Sequence, residues 1–181
     1  MSARDASAAT LGGAAGGIVV GLFARADMRL VALIRGQTPE LSLFGTLGVV
    51  FTFVLMALGL ATAYVWWRRG GPSIGELRPA ATWSLAGVAL FLAVLLLTPL
   101  RQELARPAEL LIFVPVALLL GAVPAWLTGA FRRALPEPRT ASVRVAYQVL
   151  AAPAILASIA LPLMLLVGVL QLIGVIPVPA N

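Results

Sequence analysis

Charged residues are sparse enough to divide the chain into five uncharged runs, at 6–24, 41–67, 79–100, 110–131 and 145–181. The last four reach the roughly 20 residues that a helix needs to cross a hydrocarbon core about 30 Å thick. They are rich in Leu, Val, Ala, Ile and Phe and show no alternation of apolar and polar positions. That pattern predicts spanning helices. The alternating segments of about ten residues that build a membrane β-barrel do not occur. We therefore expect an all-α fold, a polytopic integral membrane bundle occupying 1–181 as a single transmembrane domain. Its spans should lie near 8–27, 43–67, 82–100, 109–131 and 145–175. The longest connector, 25–40, is far shorter than the roughly 40 residues below which a segment rarely folds alone, so no soluble domain is expected.

The first run differs from the rest. It is weakly apolar and contains Gly12, Gly13, Gly16, Gly17 and Gly21. Gly12/Gly16, Gly13/Gly17 and Gly17/Gly21 are small-xxx-small pairs, which let helix backbones approach closely. Three readings stay open: a spanning helix packed against a neighbour, a signal peptide with Ala24-Arg25-Ala26 as its cleavage site, or a leader that lies on the surface or stays disordered. The bundle has five spans in the first case and four in the third.

Arginine placement sets the orientation. The segment after the second run holds Arg68, Arg69 and Arg78, and the one after the fourth holds Arg132, Arg133, Arg139 and Arg144. Basic loops favour the cytoplasm, so both segments are expected inside. With five spans the N-terminus is inside too, and Arg4 joins them. Eight arginines then lie inside, against Arg25, Arg29, Arg35, Arg101 and Arg106 outside; four spans give a more even split, so the bias favours five. The C-terminus is outside in either case. Tyr64, Trp66, Trp67, Trp83, Trp126 and Tyr147 all fall at the same expected cytoplasmic interface, where amphipathic rings are well accommodated.

Composition narrows the chemistry. The chain is 61% hydrophobic and 11% charged, against about 45–50% and about 25% in soluble domains. It has no Cys and no His, and all its basic residues are Arg. Disulfides, thiol nucleophiles, imidazole bases or ligands and Schiff-base lysines are thereby excluded. No cofactor and no metal are expected. The net charge of +6 is explained by arginines flanking spans, so the expected partner is the lipid bilayer and not nucleic acid. Lysine-free, alanine-rich usage suggests a bacterial protein, hence an inner (plasma) membrane location.

Four features are candidates for a role. Arg25 and Arg29 share a face if the first helix continues through them, and two such guanidinium groups can grip a lipid phosphate or another anion. Arg101 and Arg106, in the charged outer turn with Glu103 and Glu109, could complete such a site. Pro115, Pro124, Pro153 and Pro162 interrupt the last two runs and predict helix kinks. Gly121, Ala125 and Gly129 form a small-residue stripe suited to packing. The strong runs hold no ionisable side chain except Tyr64 and Tyr147, which argues against ion-coupled transport by this chain alone.

The resulting expectation is a non-enzymatic multi-pass membrane protein, an accessory, scaffold or assembly subunit working beside other membrane subunits or as a homo-oligomer. The alternative is a small oligomeric transporter, pore or lipid-handling protein, with an anion or phosphate site formed by the outer arginines. A lipid-phosphate enzyme using Asp27, Glu40, Glu103 or Glu109 ranks last, because none of their spacings is a recognised catalytic motif.

Overall fold

The computed structural model describes residues 1–38, 42–70, 79–97 and 107–172, the side chains of 69, 70, 79, 80, 107–110 and 172 excepted. These residues form five helices: α1 (Ala3–Ile34), α2 (Leu43–Gly70), α3 (Pro79–Leu97), α4 (Pro107–Ala134) and α5 (Ala141–Leu172). No strand occurs among the described residues.

Local chemistry sets several helix ends. The Ser2 side chain caps α1 by accepting from Asp5 N at 3.3 Å, and donates to Asp5 Oδ2 at 2.8 Å. This is a reciprocal arrangement close to a capping box. Ser42 caps α2 by accepting from Gly45 N at 3.2 Å, and Thr140 caps α5 by accepting from Val143 N at 3.4 Å. Helices α3 and α4 begin at Pro79 and Pro107, where the missing N–H costs nothing. Helix α1 ends at Gly36, whose φ of 70° suits a residue without Cβ. There Gly36 N bonds Leu33 O at 3.0 Å and Gln37 N bonds Ala32 O at 2.9 Å, a Schellman closure.

Three stretches, Leu43–Arg68, Leu111–Ala134 and Ala141–Gln171, are long and apolar enough to cross a membrane. The apolar stretch Ala81–Leu97 of α3 is shorter, and α1 is not among the three. Helix α1 is longer than the expected 8–27. It runs unbroken through Arg25, Asp27 and Arg29 to Ile34, so those charges do not end it. At 32 residues it measures about 48 Å, more than the thickness of a bilayer core.

The weakest hydrophobic segment is the centre of the bundle. Helix α1 packs against α2, α4 and α5, whereas α2 and α3 barely touch. Its glycines divide between two neighbours. Gly13, Gly17 and Gly21 lie against Leu58, Val54 and Val50 of α2. Gly12 and Gly16 lie against Thr128 and Pro124 of α4. Rising numbers on α1 meet falling numbers on both partners, so both run antiparallel to it. A Cβ on Gly13 would sit 2.8 Å from Leu58 Cα, and one on Gly16 2.9 Å from Pro124 Cα. The backbones are therefore as close as glycine permits. A second close crossing joins α3 to α4, where Gly121 meets the Trp83 carbonyl and the backbone of Gly87.

Helix α5 closes the bundle from outside through a thin edge, with Tyr147, Ala151, Ala154 and Ala157 buried. Only 17% of its apolar stretch is buried, against 44% for α4. Thr62 Oγ1 of α2 donates to Leu58 O at 2.8 Å and lies 3.4 Å from Ala154 O of α5. Ser7 Oγ of α1 bonds both Ala3 O and, at 2.8 Å, Tyr147 O. Most other hydroxyls simply return to their own helix: Thr46 to Ser42 O, Thr52 to Gly48 O and Ser158 to Ile155 O.

Candidate functional site

The end of the bundle where α1 begins gathers the N-terminus of α5 and the C-termini of α2 and α4 as well. Polar side chains converge there. Asp5 is buried, its side chain 7% exposed, and accepts from Arg132 Nε at 2.8 Å. Arg4 pairs with Glu137 in the α4–α5 connection and donates from Nη2 to Arg132 O at 3.1 Å. Tyr147 Oη donates to Pro136 O at 2.9 Å, tying α5 to the same connection. The N-terminal turn of α1 is thus fastened by charge to the end of α4, in addition to the glycine contacts below.

Beside these pairs lies a cavity of about 370 Å³ lined by Arg4, Tyr64, Arg68, Gly129, Arg132 and Arg133. Arg68 Nη1 donates to Tyr64 Oη at 3.1 Å, and its guanidinium lies 5.9 Å from the Tyr64 ring centre. Trp83 packs edge-on against Tyr64 with ring centres 5.4 Å apart, holding the phenol at the cavity wall. Gly129 leaves the wall open: a Cβ there would be 3.2 Å from Tyr64 Oη and 3.9 Å from Arg133 Nη1. Four guanidinium groups and one phenol form a lining suited to an oxyanion.

Towards the other end lies a larger, mainly apolar cavity of about 540 Å³. It lies between α1, α2, α3 and α4. Val49, Phe53, Met56, Phe91 and Phe113 are among its walls, together with Arg35 and Gln37.

The residues singled out from the sequence scatter over the molecule. Arg25 and Arg29 are half-buried on α1, far along the helix from the arginine-lined cavity, with Arg25 Nη2 near Gly45 at the start of α2. Arg101 and Arg106 lie outside the described residues, as do Glu40 and Glu103, and the Glu109 side chain is not described. Pro115, Pro153 and Pro162 sit inside continuous helices with exposed rings, whereas Pro124 is buried against Gly16. The Gly121, Ala125 and Gly129 stripe serves two neighbours: Gly121 meets α3, and Gly129 faces Tyr64 of α2.

The aromatic residues share one end, but not one environment. Trp66 and Trp126 are 75% and 68% exposed, as interfacial rings would be. Tyr64, Trp83 and Tyr147 are buried among the helices, because each has a partner inside: Trp83, Tyr64 and Pro136 O respectively.

Sequence reasoning missed Arg4, Asp5 and the joining of Arg68 to Arg132 and Arg133. The Ser2-to-Asp5 spacing was a legible cap signal. Nothing local could reveal that three helices bring their arginines to one cavity. Among the described residues no group of three carboxylates, histidines or cysteines could hold a metal ion. No protein-family model, no curated protein and no solved structure matches this chain.

Proposed function

We propose that this chain is a five-span protein of the bacterial inner membrane that acts without catalysis, as an accessory or assembly subunit held by packing within the bilayer. The observation that carries this reading is the distribution of buried polarity. Asp5, Ser7, Thr10 and Thr128, the buried polar residues among those described, all lie in the half of the bundle where α1 begins. The midsection is filled by Val20, Phe53, Ala57, Val116 and Leu120. A carrier or pumping subunit normally places polar or ionisable groups at depth, and an interior of this kind favours a packing role. Helix α5 supplies a broad apolar flank for companions, with Leu156, Ile159 and Met164 all more than half exposed. The proposed orientation puts the arginine-rich end in the cytoplasm. Extraction in native lipid discs should bring a companion polypeptide or a homo-oligomer with the protein. Recovery as a lone monomer from membranes at native abundance would overturn the reading.

A second reading, lipid handling, is favoured by the 540 Å³ mainly apolar cavity whose lining includes Arg35 and Gln37. An acyl chain matches such walls, and a headgroup phosphate matches the arginine. Gly48 lines this cavity with nothing within 4 Å of a Cβ, so Gly48→Leu fills it without a backbone clash. Lipid scrambling above the empty-vesicle rate, lost in Gly48→Leu, would support this reading; a wild-type rate equal to that of empty vesicles would remove it.

A further inference from the structure

We propose that the arginine-lined cavity at the N-terminal end of α1 is a binding site for a phosphate group. This is a different place from the outer arginines that the sequence singles out. It does not depend on which role the protein plays in the membrane.

The argument begins with charge. The cavity collects Arg4, Arg68, Arg132 and Arg133 from three helices. The described carboxylates at this end are Asp5 and Glu137, which pair with Arg132 and Arg4. Neither Arg68 nor Arg133 meets a carboxylate among the described residues. Among the described residues the lining therefore carries two positive charges more than its partners neutralise. Like charges gathered at the edge of a low-dielectric bundle repel, and an anion between them removes that cost.

Helix dipoles explain only part of the gathering. Arg132 and Arg133 in the last turn of α4, and Arg68 near the end of α2, complement the negative C-terminal ends of their helices. Arg4 does not, since it lies in the first turn of α1, where a helix dipole disfavours a cation. Its Nε is buried with no acceptor, an N–H donor that a bound oxyanion could help satisfy.

Shape and donor type identify the ligand class. Guanidinium forks match the paired oxygens of a phosphate. Tyr64 Oη accepts from Arg68, which leaves its own proton for an anion oxygen. Gly129 keeps the space open, and about 370 Å³ is room for a phosphate group with part of what it is attached to. The exposed rings of Trp66 and Trp126 mark this end as lying at headgroup depth. Two sources offer the same chemistry there: the headgroup of an anionic lipid, or a soluble phosphate.

The full chain in phosphatidylcholine nanodiscs provides the test, read by thermal unfolding at fixed ionic strength. Short-chain phosphatidylglycerol, inorganic phosphate and short-chain phosphatidylcholine are the three probes. A stabilisation by phosphatidylglycerol alone identifies a lipid headgroup, and one by inorganic phosphate as well identifies a phosphate group from either source. In both cases Arg68→Gln/Arg133→Gln should weaken apparent affinity on the order of tenfold or more, because two charge-assisted contacts are lost. Arg139→Gln/Arg144→Gln, at the same end but outside the cavity, should leave it unchanged. Gly129→Leu blocks the space without removing charge and should abolish the stabilisation, which keeps the test decisive if the arginine variant folds poorly. No stabilisation by either anionic probe, an equal effect of phosphatidylcholine, whose choline cation offsets its phosphate charge, or an equal loss in the Arg139/Arg144 control would overturn the site.

Discussion

A glycine in a packed helix is informative only when its neighbour is known. Gly17 and Gly48 illustrate this. A Cβ on Gly17 would overlap the backbone of Val54, whereas one on Gly48 would meet nothing within 4 Å. Gly17→Leu should therefore force α1 away from α2. An overpacked contact costs about 1–3 kcal/mol, and more where backbone is the obstacle. Gly48→Leu should be close to neutral for stability, because it adds a side chain to empty space. Unfolding of the two variants in the same detergent checks this pair, and equal losses would show that α1 is not seated on α2 through its glycines. The small-xxx-small spacing of Gly12, Gly16, Gly17 and Gly21 was legible in the chain. That Gly12 and Gly16 meet α4 while Gly13, Gly17 and Gly21 meet α2 was not, since spacing defines a face but not what covers it.

Among the elements, α1 is where sequence and structure diverge most. Its hydrophobicity is the weakest of the five runs, which left a surface or leader reading open. In the structure it packs against α2, α4 and α5 through its glycines while Ile18, Leu22 and Phe23 stay exposed, and that packing explains the composition. A helix packed closely against several others needs close contact on those faces more than it needs greasy side chains. Its anchorage is electrostatic at one end, through Asp5 and Arg132. Asp5 is almost fully buried and Arg132 is 40% exposed on the side chain, so solvent screens part of the pair. Asp5→Asn should cost about 1–3 kcal/mol, less than a fully buried pair would. In a double-mutant cycle, Arg132→Gln should cost little once Asp5→Asn has been made, because its side-chain partner is then gone. Additive losses would mean that the two side chains stabilise α1 independently. The prolines divide in a similar way. Pro124 is part of the α1–α4 contact, while the exposed rings of Pro115, Pro153 and Pro162 make no such seat.

For the whole molecule, direction along the bundle is the main result. Each helix runs antiparallel to the one before it wherever the two are packed, and Ser2, Trp83 and Tyr147 lie towards one end while Gly36 and Ser42 lie towards the other. With the arginine rule, this alternation supports the proposed orientation of five spans with the N-terminus inside. The chain has no cysteine, so single substitutions can report it directly. Gln37→Cys and Ser142→Cys both lie on exposed residues at opposite ends. In intact cells a membrane-impermeant maleimide should label Cys at position 37 and not at 142. Labelling of both or of neither from outside would contradict the alternation across the bilayer, and labelling of 142 alone would reverse the sidedness.

By itself the sequence determined the class of the protein. Long apolar stretches without ionised groups favour helices that avoid water, three of them long enough to cross a membrane, and that conclusion needs no knowledge of neighbours. Caps such as Ser42, Thr140 and Gly36 were local as well, because they act within a few residues of themselves. Only the tertiary structure decided that the glycine-rich α1 is the hub, that three of the six Tyr and Trp rings turn inward, and that Arg4, Arg68, Arg132 and Arg133 share a cavity. These are meetings of residues up to about 130 positions apart. Between apolar helices such meetings are selected by close packing and by the pairing of polar groups, and neither leaves a periodic trace along a single helix.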